Sequence, residues 1–173
     1  MPKGRDVSEL FLPISQVPIQ AYFGQGLHTL GLLRWLLPQT GRADIWVSSF
    51  STSEAFLNGC FILRLKGYIG NSLLLLDQRA ARKTARLGML MQGTFQHVFL
   101  GMNHSKLLLL RNERICVSVV TSQNQTDGGR AESTILTTDP QVFAVLQAQF
   151  DDICHNTSVE LDIWHGRGLI TED

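Results

Sequence analysis

His104 and Lys106 stand two residues apart, immediately before four consecutive leucines, Leu107 to Leu110. Side chains alternate faces along an extended chain, so this imidazole and this ammonium look the same way. A second apolar run, residues 115–120, then delivers Thr121, Ser122, Gln123 and Asn124. Imidazole is a nucleophile or base near neutral pH, lysine supplies fixed positive charge, and hydroxyl and amide groups donate hydrogen bonds. Such a set suits a phosphate oxyanion and asks for no metal. Arg130 and Glu132, two residues apart, add a second cation and an acid further along.

The elements that must position these groups can be read from hydrophobic spacing. Leucines at 27, 30, 33 and 37 recur at helical spacing, with Pro38 expected to close that helix. Residues 43–49 read as a buried strand. Ser51 and Glu54 have capping-box spacing and open a helix running to about Lys66, which Gly67 ends. Residues 72–76 form a second buried strand and 77–91 a helix, followed by short strands at 96–101, 105–110 and 115–120, with a turn at Asn112-Glu113. Asp139-Pro140 starts a long helix, cap and then first-turn proline, and 159–164 resemble a last strand. This order predicts an α/β fold: a mixed β-sheet with helices on both faces. Residues 1–20 read as an extended arm, 21–165 as a single domain and 166–173 as a flexible tail.

The composition narrows the classes. At 173 residues and 44% hydrophobic, the chain can bury one full-sized core. Fifteen basic residues balance fifteen acidic ones, so any polyanion must be held by local patches. Arg79, Arg82, Lys83 and Arg86 form one helical stripe, either a solvated face with Asp77 at its start or a patch tracking a nucleic-acid backbone. Cys60, Cys116 and Cys154 form no CxxC pair and read as free thiols, which fits a reducing, cytoplasmic setting. His28, His97, His155 and His165 have no partners at ligand spacing, so neither metal nor cofactor is expected. No apolar stretch is long enough for a membrane span, and no secretory leader is evident.

The sequence HSKLLLL, followed by TSQNQTDGGRAEST, resembles the phospholipase D superfamily, whose motif runs H-x-K, four residues, D, then a short gap to G-S-x-N. A strand ending in Ser48-Ser49-Phe50-Ser51, a capped helix and a strand closing on Asp77 follow the order of one such domain. The resemblance spans about residues 20–155. It implies a phospholipase D-like fold, with His104 attacking phosphorus to give a phosphohistidine. Lys106, Ser122 and Asn124 would hold the non-bridging oxygens, and Arg130 would add a clamp. Glu132 would hydrogen-bond the far ring nitrogen of the histidine. A second histidine must protonate the leaving oxygen, and the chain has a single H-x-K. The resemblance therefore implies a homodimer that pools two copies of His104. The expected activity is that of a metal-independent phosphodiesterase, a nuclease-type hydrolase of DNA or RNA. The alternative is a catalytically reduced phosphate- or nucleic-acid-binding module of a larger assembly. Lipid hydrolysis ranks last, since no basic amphipathic anchor is visible. Three positions depart from the pattern: Arg111 replaces the motif aspartate, Thr121 replaces glycine, and the gap to Ser122 is three residues longer.

Overall fold

The computed structural model describes residues 5–80, 85–125 and 129–162. Eight strands form one sheet: β1 (Ile19–Gly24), β2 (Ala43–Ser49), β3 (Ile69–Asp77), β4 (His97–Gly101), β5 (Leu107–Arg111), β6 (Cys116–Thr121), β7 (Glu132–Thr137) and β8 (Val159–Glu160). Their order across the sheet is β1-β7-β6-β5-β2-β3-β4-β8. Only β2, β3 and β4 pair in parallel; every other neighbour is antiparallel. The sheet is mixed, as the sequence predicts.

Helices cover both faces. The helices α1 (Thr29–Thr40), α2 (Glu54–Leu65) and α3 (Gly88–Thr94) pack on one, against Val47, Leu74, Leu108 and Val119. Neighbouring residues in the same strands, Trp46, Leu75 and Leu109, point the other way. There they meet Phe143, Phe150 and Cys154 of α4 (Pro140–Thr157). Strand alternation thus divides one apolar sequence between two cores. The Asp139 side chain caps α4 and Pro140 fills its first turn. Among the described residues, no helix is long and apolar enough to cross a membrane.

Several boundaries differ from the sequence reading. Pro38 does not close α1 but sits in its last turn, two residues before the end of the helix. The helix ends at Gly41, whose φ of 80° favours glycine and whose N–H bonds the Leu37 carbonyl. The cap of α2 is Ser53, whose hydroxyl accepts from the Phe56 amide, rather than Ser51. The helix expected over 77–91 is not continuous: a 3-10 turn at Ala85–Leu87 precedes α3. Strand β7 had no assignment. Within the expected arm, Val7, Phe11 and Ile14 are buried in the main core, and Ile19 and Gln20 already belong to β1. Residues beyond 162, including Trp164 and His165, lie outside the described residues.

Candidate active site

The ends of β1, β2, β3, β4 and β6 and the starts of β5 and β7 all lie at one edge of the sheet, fixed by the pairs Ser48–Leu107, Leu107–Val120 and Gly24–Glu132. Residues 103–106 run along this rim into β5. Their path is set by Asn103, which is 95% buried. Its side-chain amide nitrogen donates to Ser48 Oγ at 2.9 Å and to the carbonyls of Ser49 and Leu75 at 3.1 and 3.3 Å. Its Oδ1 accepts from the Ser105 amide and hydroxyl at 3.1 and 2.7 Å. The Ser48 and Ser105 hydroxyls join at 2.6 Å.

Asp77 is buried beneath this loop and accepts from the Asn103 amide at 3.0 Å and the Arg79 amide at 2.8 Å. Arg79 Nε lies 3.1 Å from the same carboxylate. Burial alone would push the Asp77 carboxyl up; the Arg79 and Asn103 hydrogen bonds and the guanidinium charge outweigh it and hold the group below its ordinary range.

On this support His104 is exposed, with its ring 5.4 Å from that of Phe50. The Arg79 guanidinium lies 5.9 Å from the Phe50 ring on its own account. Lys106 is only 9% exposed, and its Nζ lies 2.6 Å from the His104 carbonyl oxygen and 3.1 Å from His104 Nδ1. Burial lowers the Lys106 ammonium below its usual range, and the nearby Glu132 charge partly restores it. Across the rim, the Ser122 hydroxyl donates to the Glu132 carboxylate and accepts from the Ser133 amide at 3.0 Å.

His104, Lys106, Ser122 and Glu132 are therefore brought to one rim, with direct contacts between Lys106 and His104 and between Ser122 and Glu132. One expectation needs correction. Glu132 does not bond the His104 ring within the chain: the ladder bond from Ser122 N to the Ser133 carbonyl sets the Ser122 hydroxyl against the carboxylate instead, and the imidazole Nδ1 meets Lys106. Asn124 lies further along, half-buried on the wall of an adjoining cavity, its Oδ1 without a partner. Arg130 is exposed. Arg79 reaches the rim through Asp77, and Arg86 is exposed in the 3-10 turn. Arg82 and Lys83 lie outside the described residues. Among the described residues, no group of His, Cys, Asp and Glu side chains could hold a metal ion.

Sequence reasoning missed Asn103 and Phe50. The available signal was position: polar side chains directly after an apolar strand, facing a neighbouring serine pair. The departure at Arg111 falls at the far end of β5, about 17 Å from Lys106 along five strand residues. There its guanidinium lies 5.2 Å from the Trp46 ring and 5.7 Å from the Phe143 ring and donates to Gln147 at 2.8 Å. The longer gap is taken up by a turn between the paired residues Arg111 and Cys116, where Asn112 Oδ1 accepts from the Arg114 and Ile115 amides.

No protein-family model matches the chain, nor does any curated protein sequence. Solved structures do. The chain is similar to Nuc from Salmonella typhimurium, a phospholipase D family member, with a TM-score of 0.61 at 14% identity over 83% of this chain and 98% of that one. NucT from Helicobacter pylori gives 0.59 at 12% identity, covering 80% and 98%. TrmBL2, an archaeal chromatin protein with a novel mode of DNA binding, gives 0.54 at 10% identity, covering 87% and 56%. The chain has the phospholipase D-like fold.

Proposed function

We propose that this chain is a metal-independent phosphodiesterase, a nuclease-type hydrolase that works as a homodimer with one motif per subunit. The observation that carries the proposal is the exposed His104 imidazole beside a buried Lys106 ammonium, on a rim shared with Ser122 and Glu132. A nucleophile, a desolvated cation and a polar wall are what displacement at phosphorus requires. The full-length fit to Nuc and NucT supports the nuclease-type reading.

In the first step His104 bonds to phosphorus and the P–O bond to the leaving group breaks. The His104 of the second subunit gives that oxygen its proton. Water then attacks the phosphohistidine, its proton passes to the same second imidazole, and the P–N bond breaks. The resting geometry bears on this order. With Lys106 charged and donating to Nδ1, a neutral ring carries its proton on Nε2 and cannot attack through that nitrogen; the copy that acts as general acid must take up a second proton at Nδ1 as imidazolium. Substrate phosphate draws Lys106 onto its oxygens, which frees Nδ1 for a proton and Nε2 for attack. Two identical rings can thus take opposite roles.

Oligonucleotides, single- and double-stranded, DNA and RNA, incubated in excess chelator test the reading. Cleavage is expected, lost in His104→Ala and in Lys106→Ala, with a dimer by sedimentation. A chain that cleaves none of the four substrates overturns it. A second reading, a phosphate- or nucleic-acid-binding module with reduced catalysis, is favoured by Glu132 being held by Ser122 rather than by the imidazole. TrmBL2, a DNA-binding neighbour, lends it support. Its signature is salt-sensitive binding that survives His104→Asn without turnover.

A further inference from the structure

Strand β1 turns apolar side chains outward. Ile19, Ala21 and Phe23 are exposed, Phe23 by 79%, while Tyr22 between them packs on the main core. The ladder pairs Ala21 with Ile135 of β7 and Ile135 with Val120 of β6, so these side chains share one face of the sheet. Ile135 and Val120 are exposed too. Further along the same face, at Leu109 and Trp46, α4 provides the cover.

Helix α4 extends this surface. It packs on β6 and turns Phe143, Phe150 and Cys154 to the sheet, yet Val142 and Val145 are 40% and 56% exposed. Both stand about 140–160° round the helix from Gln147, which reaches Arg111 at the far end of β5. They therefore look away from that end of the sheet. The outward positions of the three strands, 19, 21 and 23, 133 and 135, and 120, hold no charged residue, nor do 142, 145 and 149 on the helix.

Three observations choose the occupant. First, an uncharged face offers nothing to a nucleic-acid backbone or an anionic membrane, both of which call for lysine and arginine. The same face can meet its own copy across a twofold axis without like-charge repulsion. Second, the six side chains Ile19, Phe23, Val120, Ile135, Val142 and Val145 present roughly 600 Å² at their exposures. That is the upper end of the largest patch on a typical monomer, and most of the ~800 Å² per partner of a standard interface. Third, the face runs up to the site. Phe23 pairs with Ser133, whose amide donates to Ser122, and Val120 pairs with Leu107, next to Lys106. A second exposed apolar group, Ile62 and Leu65 on α2, lacks these properties: it lies on the other face of the sheet, beside Arg64 and Lys66.

We infer that the uncharged face centred on Phe23 and Ile135, with Val142 and Val145 on its flank, seats a second copy of the chain and so brings two rims together. This assigns a surface to the proposed homodimer and rests on that reading.

Sedimentation of the full chain over a range of concentrations tests it, with oligonucleotide cleavage measured on the same samples. Phe23→Asp should raise the dimer dissociation constant about 100-fold or more, with circular dichroism unchanged. Cleavage per chain should fall in proportion to the dimer lost. Val145→Glu, on the helix and clear of strand pairing, should raise the constant about tenfold or more and decides the matter if Phe23→Asp does not fold. Leu65→Asp should leave both readings within about twofold. The dimer should persist at high ionic strength, because no charge holds it. A chain that is monomeric throughout, a dimer indifferent to Phe23→Asp and Val145→Glu, or one that Leu65→Asp or salt dissolves instead overturns the surface. A dimer that both variants break, but that cleaves no oligonucleotide, keeps the surface and removes the nuclease reading. Cleavage by a dimer that neither variant disturbs keeps the nuclease and removes the surface.

Discussion

The two ends of strand β5 carry charge in opposite ways. At its start, Lys106 is buried beside an exposed imidazole, above a loop held by hydrogen bonds to and from Asn103 and Ser105. At its end, Arg111 is exposed, lying over Trp46 and Phe143 and reaching Gln147 on α4. The first end spends stability to hold a cation where water is scarce; the second uses a cation to fasten a helix to the sheet. The family pattern is kept at the first and lost at the second. A substitution about 17 Å from Lys106 changes packing without removing any of the groups proposed to react.

His104→Ala separates the ends most sharply. Cleavage should fall by about 10⁴-fold or more, while unfolding by urea shifts by no more than about 0.5 kcal/mol, because the ring is exposed. Equal loss of stability and activity would mean that His104 serves the fold.

Asn103→Leu should damage both properties. It strands the Ser49 and Leu75 carbonyls and frees Ser105, so a loss of about 2–4 kcal/mol is expected in denaturant unfolding. Activity should drop roughly 100-fold, since the His104 main chain is no longer fixed. Stability unchanged within error would show that the network does not hold the rim.

Arg111→Ala should do the converse of His104→Ala. Two exposed cation–π contacts and one hydrogen bond amount to about 1–2 kcal/mol, while kcat should stay within about threefold. Arg111→Asp, which restores the motif residue, should be no more active than Arg111→Ala. A large gain in rate from Arg111→Asp would place that position in the chemistry after all.

The same contrast governs what could be read from the chain. Period-two and period-3.6 spacing located most strands and helices, because burial on one face writes itself into the sequence; β2 matches at both ends. Strand β7 escaped because Ser133, Thr134 and Thr137 interrupt its apolar positions, and its assignment depends on pairing with β1 and β6. The helix ends at Gly41 and Ser53 escaped because a proline and an earlier serine offered competing local signals. Within the candidate site, spacing singles out His104, Lys106 and Ser122, and the resemblance singles out Glu132. The role of Asn103 was not, since its partners Ser48 and Leu75 come from strands 55 and 28 residues away.

The smallest effect lies in pH, and there two charged groups of one rim act with opposite sign. Asp77 has a lowered folded value, so its contribution is fully present above the ordinary carboxylate value of 3.8 and disappears as pH falls through the folded one. Asp77→Asn should flatten that part of the acid limb. Lys106 is lowered too, but for a base this means that the folded state resists the proton. Stability should therefore rise as pH climbs from the depressed folded value toward 10.5. Lys106→Met, neutral at every pH, should lack the rise. A urea-unfolding series from pH 2 to 10.5 on the three proteins reads both limbs. Stability that rises with pH on both limbs, each rise missing only in its own variant, identifies Asp77 as a charge the fold gains from and Lys106 as one whose loss the fold gains from. An alkaline rise that persists in Lys106→Met would mean that its source lies elsewhere, and that the ammonium at the rim is no more strained than a surface lysine.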